Sequence, residues 1–357
     1  MKTVLLAPEL FLAEGGIARI LRVYLHALNE SGDATGVLVL NDDPASLRRI
    51  PAYLSLANVS PLCLASRSKF QFTLAALRAA RGTDRIICGH IHLAAVARLA
   101  QVLNPGLRYS IVAHGIEVWR PYTGLERHTL SRAHRIFCVS NYTRSQILRF
   151  QPSLDPGRLV VQPNALGPDF EFPPASPAPA AGSGPRILSV GRLTSDDTYK
   201  GFDTLIEAMP LVRRRLPGAV LRIAGGGNDL PRLRQLAAAQ GDPGAVELLG
   251  RIDDRQLRDE YARCDFFAPP SRKEGFGLVY LEAMSYGKPC LAARAGGAPE
   301  VVDETVGELV SYGHLDEIAE ACVRLSRRSI DPEKMRAHVA QFSYNVFRRR
   351  LYAVLAD

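Results

Sequence analysis

The sequence predicts an α/β fold made of two doubly wound parallel sheets. Three observations predict it. Short apolar runs of strand length alternate with segments of helical period, the pattern of β-α-β units. A Pro/Ala/Gly-rich, uncharged stretch from Phe172 to Pro185 separates two halves that follow the same plan. Glycine-containing loops follow several of the apolar runs, at the strand ends where such sheets bind ligands. A chain of 357 residues is long enough for two domains.

In the first half, Val4 to Ala7 reads as a strand. Ile17 to Asn29 reads as a helix with Ile20, Leu21, Tyr24, Leu25 and Leu28 on its apolar face. Glu14-Gly15-Gly16-Ile17 joins the two. A double glycine lets backbone approach a diphosphate at a helix start, and a plain turn explains it as well. Gly36 to Leu40, Arg85 to Cys88, Tyr109 to Ala113, Ile136 to Val139 and Leu159 to Val161 read as further strands. A helix is expected from His92 to Leu103, and another begins at a Ser140 or Asn141 cap. His90 and His92 end one strand and His114 ends another. His90 and His92 read either as core or helix-start residues or as part of an acceptor pocket.

Residues 169–185 are expected to be a linker between a first domain (1–168) and a second (186–335). The second opens with a strand from Arg186 to Val190 and the loop Gly191-Arg192-Leu193. A polar, mobile loop is expected over 194–199, and Lys200-Gly201-Phe202 starts a helix. Arg192 and Lys200 stand at opposite ends of one loop. Together they suit a diphosphate, the guanidinium as a fork and the ammonium as a point charge; two solvated surface cations are the alternative. Val220 to Ala224 reads as a strand ending in Gly225-Gly226-Gly227, where a ligand approaches closely or positive φ is required. A strand into a turn follows at Glu247 to Ile252, then a late strand at Gly307 to Val310 and a helix from Leu315 to Ser326. Residues 336–357 carry a basic amphipathic helix.

The densest stretch runs from Cys264 to Val302. An apolar run ends in Pro269-Pro270, Ser271 to Gly277 forms a loop, and a helix begins near Leu278 with Leu278, Leu281, Glu282 and Ser285 on one face. Glu274 and Glu282 flank the helix start, whose free N–H groups attract anions and hydroxyls. Carboxylates pair well with the vicinal hydroxyls of a sugar. A solvated loop glutamate and helix glutamate are the plain alternative. Gly287-Lys288-Pro289 and Gly296-Gly297-Ala298-Pro299-Glu300-Val301-Val302 follow. The paired glutamates around Gly-Phe-Gly-Leu, the Gly-Lys-Pro and the Gly-Gly-Ala-Pro-Glu-Val-Val together resemble the retaining glycosyltransferases of family 4. The Gly-Arg-Leu and Lys-Gly-Phe-Asp of the loop at 191–203 fit the same pattern.

That resemblance implies the GT-B fold, two Rossmann-like domains facing a central cleft, with the C-terminal helix crossing back to the first domain. It implies transfer of a hexosyl group from a UDP- or GDP-sugar to a glycan or lipid-linked acceptor, in polysaccharide, lipopolysaccharide or glycolipid synthesis. Gly15 and Gly16 would lie beside the donor diphosphate, and His114 close to the donor sugar. Many relatives carry Asp after that His; Gly115 stands here, which leaves the acidic contact to Glu117 or removes it. Arg192 and Lys200 would hold the diphosphate, and Arg251 and Ile252 would meet the base. Glu274 and the backbone of Gly275, Phe276, Gly277 and Leu278 would hold sugar hydroxyls, and Glu282 the ribose diol. His114, Glu274, Arg192 and Lys200 would be the catalytic set. No Asp-x-Asp occurs, so fixed cations in place of a metal are the economical reading, and no cofactor beyond the nucleotide-sugar co-substrate is expected. A non-catalytic sugar-nucleotide binder or partner subunit, and transfer to a small soluble acceptor, are the alternatives.

Net charge is +8, which suits an anionic partner such as a nucleotide diphosphate or an acidic lipid surface. Neither Cys/His finger spacing nor an aromatic-glycine RNA motif occurs, so nucleic acid is not the expected partner. No apolar run reaches the roughly 18 residues of a membrane span. Six scattered cysteines without a C-x-x-C read as reduced residues of a cytoplasmic protein. Residues 67–85 read as a basic helix with Phe70, Leu74 and Leu77 on one face, flanked by Lys69, Arg78 and Arg81. That face either packs into the domain or rests on an anionic membrane surface, which would place the protein peripherally at the inner face of a membrane.

Overall fold

The computed structural model describes residues 1–12, 14–173 and 184–356. The chain divides into two compact units, Met1–Phe170 with Phe342–Asp357, and Glu171–Gln341. Most of the linker stretch lies outside the described residues.

The first unit runs β1 (Lys2–Ala7), α1 (Gly16–Glu30), β2 (Ala34–Val39), β3 (Val59–Leu64), α2 (Lys69–Ala80), β4 (Arg85–Cys88) and α3 (Ala94–Leu103). It continues with β5 (Arg108–Ala113), α4 (Gly124–Arg132), β6 (Ile136–Cys138), α5 (Asn141–Phe150) and β7 (Leu159–Val161). All seven strands are parallel, in the order β3-β2-β1-β4-β5-β6-β7. Both faces of the sheet are covered, so its central strands carry near-continuous apolar runs, such as Val4 to Ala7 and Ile86 to Cys88. In β1, Val4 and Leu6 enter the core under α2 to α5, while Leu5 and Ala7 enter the core under α1. β3 carries Pro61 and lacks a clean alternating pattern; as an edge strand it tolerates the missing N–H.

The second unit runs β8 (Arg186–Val190), α6 (Phe202–Arg215), β9 (Val220–Ala224), α7 (Leu230–Ala239), β10 (Val246–Gly250), α8 (Asp254–Arg263) and β11 (Phe266–Phe267). α9 (Leu278–Ser285), β12 (Cys290–Ala293), β13 (Gly307–Val310), α10 (Leu315–Arg327) and α11 (Pro332–Ala340) complete it. Its six parallel strands lie in the order β10-β9-β8-β11-β12-β13. Ile187, Leu221, Ile223, Phe266 and Leu291 pack against Leu205, Met209, Val212, Ile318 and Cys322 on one side.

The second unit extends to Gln341, beyond the expected boundary at 335. The reason is α11: Met335 and Val339 are buried, α11 packs on α9, and the His338 ring lies 2.8 Å from the Val301 carbonyl oxygen. The terminal helix α12 (Tyr344–Ala356) belongs to the first unit. Phe347 and Leu351 join the core beside α1, with the Tyr24 ring edge-on to Phe347 at 4.9 Å. Arg348 donates to Glu30 at 2.8 Å, the Tyr352 hydroxyl to the Ala27 carbonyl at 2.6 Å and Arg85 to the Leu355 carbonyl at 2.6 Å.

The face of α2 differs from expectation. Phe72, Ala76 and Ala80 are its buried residues, and Phe70 is 78% exposed. The packed stripe is offset by one to two residues from Phe70, Leu74 and Leu77, because Ala76 and Ala80 hold core positions, with Leu77 only partly buried against that core.

Candidate functional site

Each sheet reverses its strand order once, and ligands of doubly wound sheets gather at that point. In the second unit the reversal lies between β8 and β11, and the loops leaving both strands carry the motif residues.

The loop after β8, expected to be polar and mobile, folds around a buried carboxylate. Asp197 is 7% exposed; it accepts from the Thr194 hydroxyl at 2.9 Å and the Tyr199 hydroxyl at 2.7 Å. Arg192 pairs with it at 3.1 Å while its own side chain stays 75% exposed. The guanidinium is therefore anchored at one edge and open elsewhere. Lys200 ends the turn, and Gly201 follows at φ +81°, where a Cβ would lie 2.7 Å from the Pro270 carbonyl oxygen, so glycine is required on both counts.

That close approach joins the loop after β8 to the loop after β11. Arg272 donates its backbone N–H to the Tyr199 carbonyl at 2.8 Å. Lys200 reaches Glu274 at 3.1 Å, both side chains largely buried. The first motif glutamate and the second motif cation are thus partners.

The loop after β12 supports the same glutamate from behind. Gly297 donates to the Glu274 carbonyl at 2.7 Å, and Gly296 adopts φ +63° with room only for hydrogen, since a Cβ would stand 2.5 Å from that oxygen. The Gly-Gly-Ala-Pro-Glu stretch therefore acts as a buttress, a role that its sequence did not disclose. Gly296→Ala is expected to lower stability by about 1–3 kcal/mol, through the φ change and the clash. A melting curve checks this; an unchanged melting temperature would remove the buttress.

Gly277 (φ +93°) ends the loop and caps α9. Phe276 is 3% exposed, so its ring anchors the loop and any contact with a donor runs through its backbone. Glu282, half-buried on α9, accepts from the Tyr261 hydroxyl at 3.1 Å. Sequence reasoning missed Tyr261, which sits in an otherwise polar helix with nothing to mark its partner. Arg251, exposed, and Ile252, half-buried, follow β10 at the edge of the sheet. The triple glycine is explained within the protein: Gly225 (φ +155°) and Gly227 (φ +158°) lie against the backbone carbonyls of Gly191 and Leu193.

In the first unit the reversal lies between β1 and β4. The loop after β1 is held by buried Asp42, which accepts from the Phe11 N–H at 2.7 Å, and by Arg22, which donates to Glu14 at 2.9 and 2.6 Å and to the Leu10 carbonyl at 3.1 Å. The Arg22 hydrogen bond holds the Glu14 carboxyl below its usual range. Gly15 precedes α1 in ordinary extended backbone, and a Cβ on Gly16 would meet no atom within 4 Å. Sterics within the protein do not require these glycines.

His114 follows β5. Its Nε2 donates to the Gly89 carbonyl at 2.8 Å, which leaves Nδ1 as the acceptor in the neutral ring. Glu117 accepts the N–H groups of His114 at 2.5 Å and Gly115 at 3.2 Å, so its carboxylate shapes the turn. His90 lies beside His114 with near-parallel rings 6.3 Å apart, and its Nδ1 accepts from the His92 N–H at 3.2 Å. Burial pushes the His90 pKa down to about 4. An unfolded histidine protonates near 6.5, so the unfolded state binds more protons between pH 6.5 and 4. Stability is expected to fall as pH drops through that window, and His90→Gln to flatten the slope in acid melting curves. An unchanged slope would remove His90 as its source.

Among the described residues, no three His, Cys, Asp or Glu side chains group so as to hold a metal ion.

Comparison with known proteins follows this division. Residues 14–170 match the family model described as Glycosyltransferase Family 4, and residues 184–328 match that described as Glycosyl transferases group 1. A GDP-mannose-dependent alpha-(1-6)-phosphatidylinositol monomannoside mannosyltransferase of Mycobacterium tuberculosis is 35% identical over 234 residues, 59% of this chain and 58% of that protein. An alpha-maltose-1-phosphate synthase of Mycolicibacterium smegmatis is 27% identical over 291 residues, 68% of this chain and 73% of that protein. This chain thus spans less than two thirds of the mycobacterial mannosyltransferase. Among solved structures, Anabaena HepE in complex with UDP superposes with TM-score 0.79 at 20% identity over the whole of both chains. The lipopolysaccharide outer core galactosyltransferase WaaB gives 0.76 at 17% identity over 99% of each. At these identities the two structures establish the fold: two Rossmann-like α/β domains of GT-B type.

Proposed function

We propose that this chain, which belongs to the family 4 glycosyltransferases, moves a hexosyl group from a GDP- or UDP-sugar to a glycolipid or glycan acceptor with retention. The observation that carries the reading is the junction of three loops at the β8–β11 reversal, where Lys200 pairs with Glu274 and Arg192, on the same loop as Lys200, is tied to Asp197. The mycobacterial relative is named for GDP-mannose and a phosphatidylinositol mannoside, which favours GDP-mannose and a lipid-linked acceptor.

In this mechanism Arg192 and Lys200 hold the diphosphate, and their fixed charge stabilises the negative charge that grows as the C1–oxygen bond breaks. Glu274 accepts hydroxyls of the transferred sugar, and the open N–H groups at the start of α9 add donors. Glu282 takes the ribose diol, and Arg251 and Ile252 face the base. The acceptor oxygen bonds to C1 on the face the diphosphate leaves. Its proton passes to the departing phosphate oxygen. The test is nucleotide release: GDP or UDP formed only when acceptor is added supports transfer, and binding without turnover supports a non-catalytic binder.

Fixed cations do the work that a metal does at an Asp-x-Asp pair, so activity is expected to persist in EDTA. Complete loss in chelator, restored by Mg²⁺ or Mn²⁺, would overturn this.

The acceptor suggests a lipid surface. No described helix is long and apolar enough to cross a membrane. On one face of the first unit's sheet, α2 packs beside α3 and α3 beside α4. Phe70 on α2, Val102 and Leu103 on α3 and Leu125 on α4 are each more than half exposed. Exposed Lys69, Arg78, Arg81, Arg127 and Arg132 accompany them. Apolar side chains among cations suit an anionic interface, at about 1 kcal/mol per basic residue near the surface. Sedimentation with phosphatidylglycerol vesicles is expected to show binding that fades with salt and drops when Lys69, Arg78 and Arg81 become Glu. Equal partitioning to neutral vesicles would remove the electrostatic part.

A further inference from the structure

We propose that Tyr261 is a positioning residue that orients the Glu282 carboxylate toward the ribose diol and links it to the loop facing the base. The inference rests on the reading of Glu282 as the ribose contact and goes beyond it.

The argument starts at the loop after β10. Gly250, with φ +71°, turns the chain into Arg251 and Ile252, and α8 begins directly afterwards. Asp253 and Gln256 form a reciprocal cap: the Asp253 side chain accepts from the Gln256 N–H at 2.8 Å, and the Gln256 side chain accepts from the Asp253 N–H at 3.0 Å. Both ends of that turn are fixed, so the base-side loop and α8 move together. Tyr261 stands two turns further along α8 and is 2% exposed.

Its ring has little freedom. Tyr286, just past the end of α9, stacks on it at 5.6 Å with planes 21° apart, and Phe267 of β11 lies against it at 5.6 Å and 57°. A ring so held fixes its hydroxyl, which donates to Oε2 of Glu282 at 3.1 Å. A phenol donates one proton and a carboxylate offers about four acceptor positions, so this hydrogen bond sets the orientation of the carboxylate while occupying one of them. A diol is recognised only when both acceptors are aimed at once, and a glutamate with three free torsions does not hold that aim alone. The hydroxyl of Tyr261 therefore sharpens ribose recognition without touching the nucleotide.

Calorimetry with UDP, GDP and their 2′-deoxy counterparts tests this on the wild type, Tyr261→Phe and Glu282→Gln. Phenylalanine keeps the ring stacking, and a melting curve confirms that the fold is kept. Wild type is expected to prefer the ribonucleotide, and Glu282→Gln to lose that preference. Tyr261→Phe is expected to lose about tenfold in ribonucleotide affinity, the weight of one hydrogen bond to a charged group, with 2′-deoxynucleotide affinity within twofold of wild type. If Glu282→Gln keeps the ribose preference, the ribose reading falls and the proposal with it. If Glu282→Gln loses the preference but Tyr261→Phe binds both nucleotides as wild type does, or weakens both equally, the positioning role alone is overturned.

Discussion

Glu274→Ala is expected to reduce turnover by roughly a hundredfold, the loss of one or two charged hydrogen bonds of about 1.5–3 kcal/mol each to the transferred sugar. Affinity for free UDP or GDP should hold within a few fold, or rise. The direction follows from the 3.1 Å pair with Lys200. In the wild type that ammonium shares its charge with a carboxylate, and removing the carboxylate leaves the cation entirely for the diphosphate. The backbone that Glu274 lends to Gly297 is unchanged by alanine, so the loop keeps its shape. Steady-state kinetics and calorimetry decide. A fall in nucleotide affinity as large as the fall in turnover would place Glu274 on the nucleotide.

Lys200→Ala is expected to weaken nucleotide diphosphate binding by about tenfold to a hundredfold, and Arg192→Ala by less. One charge-assisted contact is worth about 1.5–3 kcal/mol. The two differ because their surroundings differ. Lys200 is largely buried, and its loss leaves Glu274 as an unpaired negative charge where the diphosphate would sit. Arg192 is 75% exposed, and its partner Asp197 keeps the Thr194 and Tyr199 hydroxyls when the guanidinium is gone. If both variants bind UDP and GDP as tightly as wild type, the diphosphate assignment is wrong. If Arg192→Ala is the weaker binder, solvent screens that cation less than its exposure implies.

The sequence by itself determined the class of fold, the two halves, and which residues stand in the loops at the second strand reversal. Strands buried on both faces carry unbroken apolar runs, such as Val4 to Ala7 of β1, and helices such as α1 repeat their apolar residues at helical spacing. Both patterns are local and survive without tertiary information. Glu274, Arg192 and Lys200 stand out because they lie in glycine-containing loops that follow strands, and Glu282 because it lies just inside the helix that follows such a loop.

What tertiary structure decided is everything that depends on partners distant in sequence. Lys200 and Glu274 lie 74 positions apart, and nothing local says that they pair. Gly225 and Gly227 read equally well as a ligand loop, and only the neighbouring carbonyls of Gly191 and Leu193 show that backbone fills the space. Nothing local in the polar stretch at 194–199 says that it folds around Asp197, a residue type usually exposed, because its three partners come together only when the loop folds. Tyr261 carried no signal, since its role lies in a hydrogen bond to another helix. Alanines misled the reading of α2: a methyl group adds little to an apolar pattern, yet it lets two helices pack closely, and that leaves Phe70 facing out.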